Sequence, residues 1–85
     1  MPELSRFLGI IVFMNFNEHN PPHFHARYED YEIIVEILSG IVEGKFPKRA
    51  LNLVLEWYEI HKSELLEDWN SIRSTGEFKK IDPLE

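Results

Sequence analysis

The sequence contains no cysteine, which excludes disulfides and any thiolate-bound metal. With 85 residues and no such staple, one hydrophobic core has to carry the fold, and a domain this short buries only about 60% of its unfolded surface. Nothing approaches the roughly 18 consecutive apolar residues of a membrane span. The apolar stretch from Phe7 to Phe16 is broken by Gly9 and Asn15 and lacks a small-residue cleavage site. It is read as a strand, not a signal peptide, and a cytoplasmic location is the default expectation. Internal repeats, low-complexity tracts and linkers are also missing, so residues 1–85 are expected to form a single domain, with 77–85 as an extended tail. There is no glycine-rich phosphate loop, no nucleophilic-serine motif and no His-Glu-x-x-His helix, which removes the best-marked enzyme classes.

What is present begins with a 44% hydrophobic share and a 13% aromatic share of the whole chain, ample for a core and against a disordered chain except at its two ends. The net charge is −6, and residues 29–44 concentrate it in Glu29, Asp30, Glu32, Glu36 and Glu43. An acidic chain is repelled by a phosphate backbone, so RNA as a partner is disfavoured, although Lys45, Lys48 and Arg49 leave a local basic face.

Along the chain, Gly9 to Phe16 is almost continuously apolar and β-branched, which suits a covered strand. Asn17 to Pro22 is a turn, because Pro21 and Pro22 bar both helix and ladder hydrogen bonds. His23 to Tyr28 then alternates, with His23, His25 and Arg27 on one face and Phe24, Ala26 and Tyr28 on the other. Glu29-Asp30 turns the chain into a third strand in which Tyr31, Ile33, Val35 and Ile37 share a face. Ile41-Val42-Glu43 is a weaker fourth. Pro47 suits a helix start. From there Leu51, Val54, Leu55, Tyr58, Leu65, Trp69 and Ile72 fall on one stripe at about 100° per residue. Leu53, Trp57 and Ile60 fall nearly opposite, so the helix needs cover on two sides, with a second chain as one source. Helix is expected to about Ser74 and to end at Gly76, with a second helix capped by Ser63 as the alternative. Ile81 and Leu84 are expected to fold back onto the core.

Three of the four histidines fall in His19-x3-His23-x-His25. On a strand His23 and His25 point the same way, and His19 approaches them across the proline turn. Three imidazoles with an open fourth position make a catalytic-type zinc site, so His19, His23 and His25 are candidate metal ligands, with His61 as a conditional addition. Glu18 is the nearest carboxylate that can orient a ring. The same residues also support metal-free chemistry. One of His23 and His25 serves as general base and the other as general acid, while Arg27 on the same face holds a phosphate. A third reading is structural, with the histidines bonding a turn or lining an interface. These readings remain open on the residues alone.

Several motifs follow in order: Ser5-x-Phe7-x-Gly9-Ile10, Asn20-Pro21-Pro22-His23-Phe24-His25-Ala26-x-Tyr28, Gly44-x-x-Pro47-x-Arg49-Ala50, Val54-x-x-Trp57-x-x-x-His61, Glu64-Leu65-x-x-x-Trp69 and Ile81-x-Pro83-Leu84. In these the chain resembles the bacterial family catalogued as domain of unknown function 4160, over essentially its whole length. Glu18 departs from the aspartate that relatives tend to carry there. The resemblance implies one component of a toxin–antitoxin-like module whose partner is a small cognate protein encoded by a neighbouring gene. A weaker likeness of arrangement, to messenger-RNA-cleaving toxins with a strand-borne histidine, suggests a ribonuclease.

The expectation is therefore an α+β domain with a three- to four-stranded, mainly antiparallel sheet and a long C-terminal helix, broken near His61–Ser63 in the alternative. Its expected function is that of a bacterial toxin–antitoxin-like component, one form of which is a ribonuclease toxin working through His23, His25 and Arg27. The alternative is a non-enzymatic binding module that joins a partner or a second copy through its helix and carries a structural or zinc-binding histidine turn.

Overall fold

Leu8 and Gly9 both take positive φ, 52° and 82°, and this two-residue reversal has the twist that a tight antiparallel hairpin requires. In the computed structural model, which describes residues 2–84, the reversal joins β1 (Glu3–Phe7) to β2 (Ile10–Phe13). The apolar run read as one strand from Gly9 to Phe16 is thus shorter. A strand precedes it that polar Glu3, Ser5 and Arg6 conceal, although Leu4 and Phe7 are buried. β3 (His23–Tyr28), β4 (Tyr31–Glu36) and β5 (Val42–Lys45) follow, so the sheet has five strands, one more than the highest expected count. All pair antiparallel with their neighbours in chain order, β1-β2-β3-β4-β5.

Register sorts the two faces of this sheet. Val12 lies opposite Ala26, Ala26 opposite Ile33, and Phe24 opposite Val35. All five are buried in the main core. The intervening positions, Phe13 with His25 and Ile34, and Ile11 with Arg27 and Glu32, occupy the other face.

A single helix, α1 (Lys48–Thr75), covers the first face and stops at Gly76, which takes the left-handed cap conformation at φ 79°. His61 alone departs from helical dihedrals (φ −112°, ψ 20°), so the anticipated break is a kink within one continuous element. The buried stripe is turned from the expected one. Its members are Ala50, Val54, Trp57, Tyr58, Leu65, Asp68, Trp69 and Ile72, with Leu51 and Leu55 at the half-buried margin. Trp57 draws the helix round because it has the largest apolar surface to hide. It is fully buried between Phe7 and Phe24, with ring centroids at 5.6 and 5.9 Å. Ile60, expected beside it, is left 62% exposed.

The C-terminal tail supplies the cover next to Trp57. Ile81 is buried and donates its N–H to the Leu4 carbonyl at 2.8 Å. The Trp57 indole N–H donates to the Asp82 carbonyl at 2.8 Å, and Leu84 packs on the core. No helix among the described residues is long and apolar enough to cross a membrane.

Turning the stripe toward Trp57 also turns Asp68 inward, since at about 3.6 residues per turn it falls in line with Ala50. One Asp68 oxygen accepts the Lys79 N–H at 2.9 Å, and the other is buried without a partner. Burial pushes this carboxyl above its ordinary range, and Glu67 and Glu64 add to the effect against the Lys79 N–H. A carboxyl raised in the fold contributes stability below its unfolded pKa and loses it as pH rises through the folded value. At neutral pH the ionised group is therefore a cost. Asp68→Asn keeps an oxygen for Lys79 and removes the charge. It is expected to raise Tm at pH 7 by roughly 4 °C, the shift that ~1 kcal/mol produces in a domain of this size. Thermal melts across pH check it: the gain should vanish below the unfolded pKa of 3.8, and an unchanged or lower Tm at pH 7 rejects it.

Candidate functional site

The turn after β2 assembles the site. Asn17 takes φ 63°, a left-handed conformation that asparagine tolerates, and the reversal brings Glu18 back over the start of β3. The Asn20–Pro21 peptide is cis. The Ile37 N–H donates to the Pro22 carbonyl at 2.9 Å, tying the turn to the end of β4. Strand alternation sets His23 and His25 side by side, their ring centroids 5.4 Å apart.

Glu18 joins the two imidazoles. Its Oε1 lies 2.6 Å from His25 Nε2, and its Oε2 lies 3.4 Å from His23 Nε2. Asn15 Nδ2 donates to the same Oε1 at 3.0 Å. Burial pushes the Glu18 carboxyl up, but the hydrogen bonds of His25 and Asn15 together with the charges of His23 and His25 outweigh it. The net result is a carboxyl held below its usual value. Glu18 is therefore ionised at neutral pH.

Each ring is fixed from behind. His23 Nδ1 donates to the Pro21 carbonyl at 2.8 Å, which leaves Nε2 as the lone-pair nitrogen of the neutral ring. Trp69 packs on His23 with centroids at 5.0 Å, and Phe13 stacks on His25 at 5.0 Å and 12°. His25 Nδ1 is buried and lacks a hydrogen bond, although Glu32 Oε2 stands 3.4 Å away. That separation satisfies an ion pair but not hydrogen-bond geometry.

The other sequence candidates are placed differently. Arg27 is exposed and directs Nε and a terminal nitrogen at Glu32 Oε1, at 3.2 and 2.9 Å, with its guanidinium 5.2 Å over the Phe13 ring. It is linked to the centre through Glu32 and through Phe13, not by direct contact. His19 is exposed and lies outside the Glu18–His23–His25 group. His61 sits against Trp57 with Nδ1 2.6 Å from Glu64 Oε1, apart from that group. Sequence reasoning missed Asn15, Glu32 and Trp69. Glu32 was within reach, because a two-residue turn at Glu29-Asp30 forces Arg27 opposite Glu32. Trp69 gave no such signal.

An open groove of about 300 Å³ adjoins the centre. Glu18, exposed His19, Asn20, Pro21 and His23 line it together with Ile34, Glu36, Ile41 and Glu43.

Fold and centre together define a small α+β protein with a five-stranded meander, one covering helix and a histidine–carboxylate centre in its second connection. The family model described as a domain of unknown function, DUF4160, matches residues 9–70, and the chain belongs to that family. No curated protein and no solved structure matches it.

Proposed function

We propose that this chain is one component of a bacterial toxin–antitoxin-like module and that its working part is the Glu18–His23–His25 centre, acting on the phosphodiester bond of RNA. The observation that carries this reading is the convergence of two imidazoles on one ionised carboxylate at the edge of an open groove. His23, with its Nδ1–H held by Pro21, offers an Nε2 lone pair to take the 2′-hydroxyl proton, and Glu18 stabilises the imidazolium that forms. The freed 2′ oxygen attacks phosphorus, the bond to the 5′ oxygen breaks, and His25 supplies the proton that this leaving oxygen needs. The products are a 2′,3′-cyclic phosphate and a 5′-hydroxyl. Arg27 reaches the phosphate by exchanging Glu32 for it.

The test is expression with and without the neighbouring gene while growth is scored, alongside cleavage of RNA by purified protein. His23→Ala is expected to lose cleavage by about 100-fold or more, the range of a general acid–base group, with an unchanged far-ultraviolet spectrum. Toxicity and cleavage unchanged from the parent protein in both His23→Ala and His25→Ala would overturn the catalytic reading.

The second reading is a protein-binding module. It is favoured by exposed Tyr31, Leu38 and Ile41 around the open edge of β5, where unpaired backbone groups can accept another strand. A chain that remains monomeric with and without the neighbouring gene product would count against it.

A further inference from the structure

Three carboxylates, Glu18, Glu36 and Glu43, face the groove, in a chain whose net charge is −6. Such a groove concentrates cations, and a bound cation would offset the repulsion that its carboxylates exert on a phosphate. The second observation is His25, whose two nitrogens cannot both be satisfied in a neutral ring. If Nε2 carries the proton toward Glu18, the buried Nδ1 lone pair faces the Glu32 carboxylate with no donor. If Nδ1 carries the proton toward Glu32, the Nε2 lone pair can take the Asn15 amide at 3.4 Å but still meets an ionised Glu18 at 2.6 Å. A cation between Nε2 and Glu18 resolves the conflict.

We propose that the centre is a binding site for a divalent first-row transition ion, zinc or a similar metal, held by Glu18, His23 Nε2 and His25 Nε2 with water completing the shell. The donor set is the two-histidine, one-carboxylate type that leaves positions open. One donor atom from each residue lies within 4.8 Å of the other two. Metal–ligand bonds of about 2.0–2.2 Å put tetrahedral donors about 3.3 Å apart, and His23 Nε2 already stands 3.4 Å from Glu18 Oε2. On the His25 side the 2.6 Å contact opens as the ion displaces its proton. The outer contacts are those that ligating groups require. The Pro21 carbonyl takes the Nδ1–H of His23, Glu32 faces Nδ1 of His25, and Asn15 orients the carboxylate. An imidazolium held between Glu18 and Glu32 is the rival that would satisfy His25 without a metal.

The inference uses the same centre as the catalytic reading but shares none of its measurements. A protein that binds no ion leaves metal-free cleavage standing. One that binds the ion and cuts no RNA leaves the metal site standing.

Protein stripped with a chelator is titrated with zinc by calorimetry in two buffers of different ionisation enthalpy, and with cobalt(II) by visible absorption. The expected result is one ion per chain, proton release on binding and intense cobalt bands of low coordination number. Glu18→Gln changes neither size nor shape, so it tests the ligand without the folding risk of replacing buried His25. It is expected to weaken zinc at least tenfold and abolish the cobalt bands, as is His23→Ala, whereas His19→Ala leaves both unchanged. Absence of uptake in the parent protein, or an affinity in Glu18→Gln and His23→Ala equal to the parent's, overturns the proposal. So does loss of binding on His19→Ala alone.

Discussion

Trp57→Ala is expected to lower the unfolding free energy by about 3–5 kcal/mol, the range for removing a large aromatic ring from a packed core. The indole has no exposed surface, touches Phe7 and Phe24, and donates to the Asp82 carbonyl. Its removal opens a cavity under α1 and releases the tail from the helix at the same time. A domain of this length has on the order of 4–13 kcal/mol in all, so the variant should sit near the edge of folding at physiological temperature. Urea unfolding checks it through a lower midpoint at a similar slope. Trp57→Phe keeps most of the volume and loses the hydrogen bond, and should cost about 1 kcal/mol beyond its smaller cavity. A Trp57→Ala loss below ~1 kcal/mol would mean that the indole is not the keystone its burial implies.

Gly44→Ala is the second large effect. Gly44 has φ 106°, and a Cβ there would lie 2.6 Å from the Glu32 carbonyl oxygen and 3.2 Å from Ile33 Cα. Both obstacles are backbone, so no side chain can swing aside. The dihedral strain alone costs about 1–3 kcal/mol, and relieving the clash requires β5 to part from β4. The expected result is loss of amide protection at Ile34 and Lys45, together with a fall in Tm of roughly 10 °C, within the range of about 4–24 °C that 1–3 kcal/mol gives a domain of this size. Protection of β2 and β3 should persist, because their ladder does not involve β5. If the centre binds zinc as proposed, uptake should persist with it, since Glu43 and Ile41 line the groove without belonging to the Glu18–His23–His25 group. Unchanged protection in β5 would reject the prediction.

How far the sequence spoke for the fold depended on whether a signal was local. Alternation along His23–Tyr28 placed His23, His25 and Arg27 on one face, and Pro47 and Gly76 bracketed the helix where α1 begins and ends. β1 was hidden because its reversal is Leu8-Gly9, where only one residue is of a turn-forming type. The helix stripe was read with all apolar residues counted equally, whereas the fold also turns the indole of Trp57, which lay outside that stripe, into the core. That same rotation exposed Ile60 and buried Asp68, neither of which periodicity alone could rank. In the site, the histidine spacing drew attention to His19. Chain direction at Asn17 instead sends His19 outward and Glu18 inward, a matter of backbone dihedrals that residue types did not settle.

The strand order of the sheet bears on when the centre comes into being. Because every strand pairs with its neighbour in the chain, each ladder closes over a short connection and loses little chain entropy. The docking of α1, the pairing of Ile81 with Leu4 and the Trp57–Asp82 hydrogen bond bring distant segments together. Glu18, His23, His25 and Asn15 all belong to the connection between β2 and β3 or to its flanks. The centre therefore has low contact order, and can be assembled by one hairpin before the helix arrives. Helix docking then adds the packing of Trp69 on His23, so an ion captured early would be locked in place, rather than admitted, by the last stage of folding.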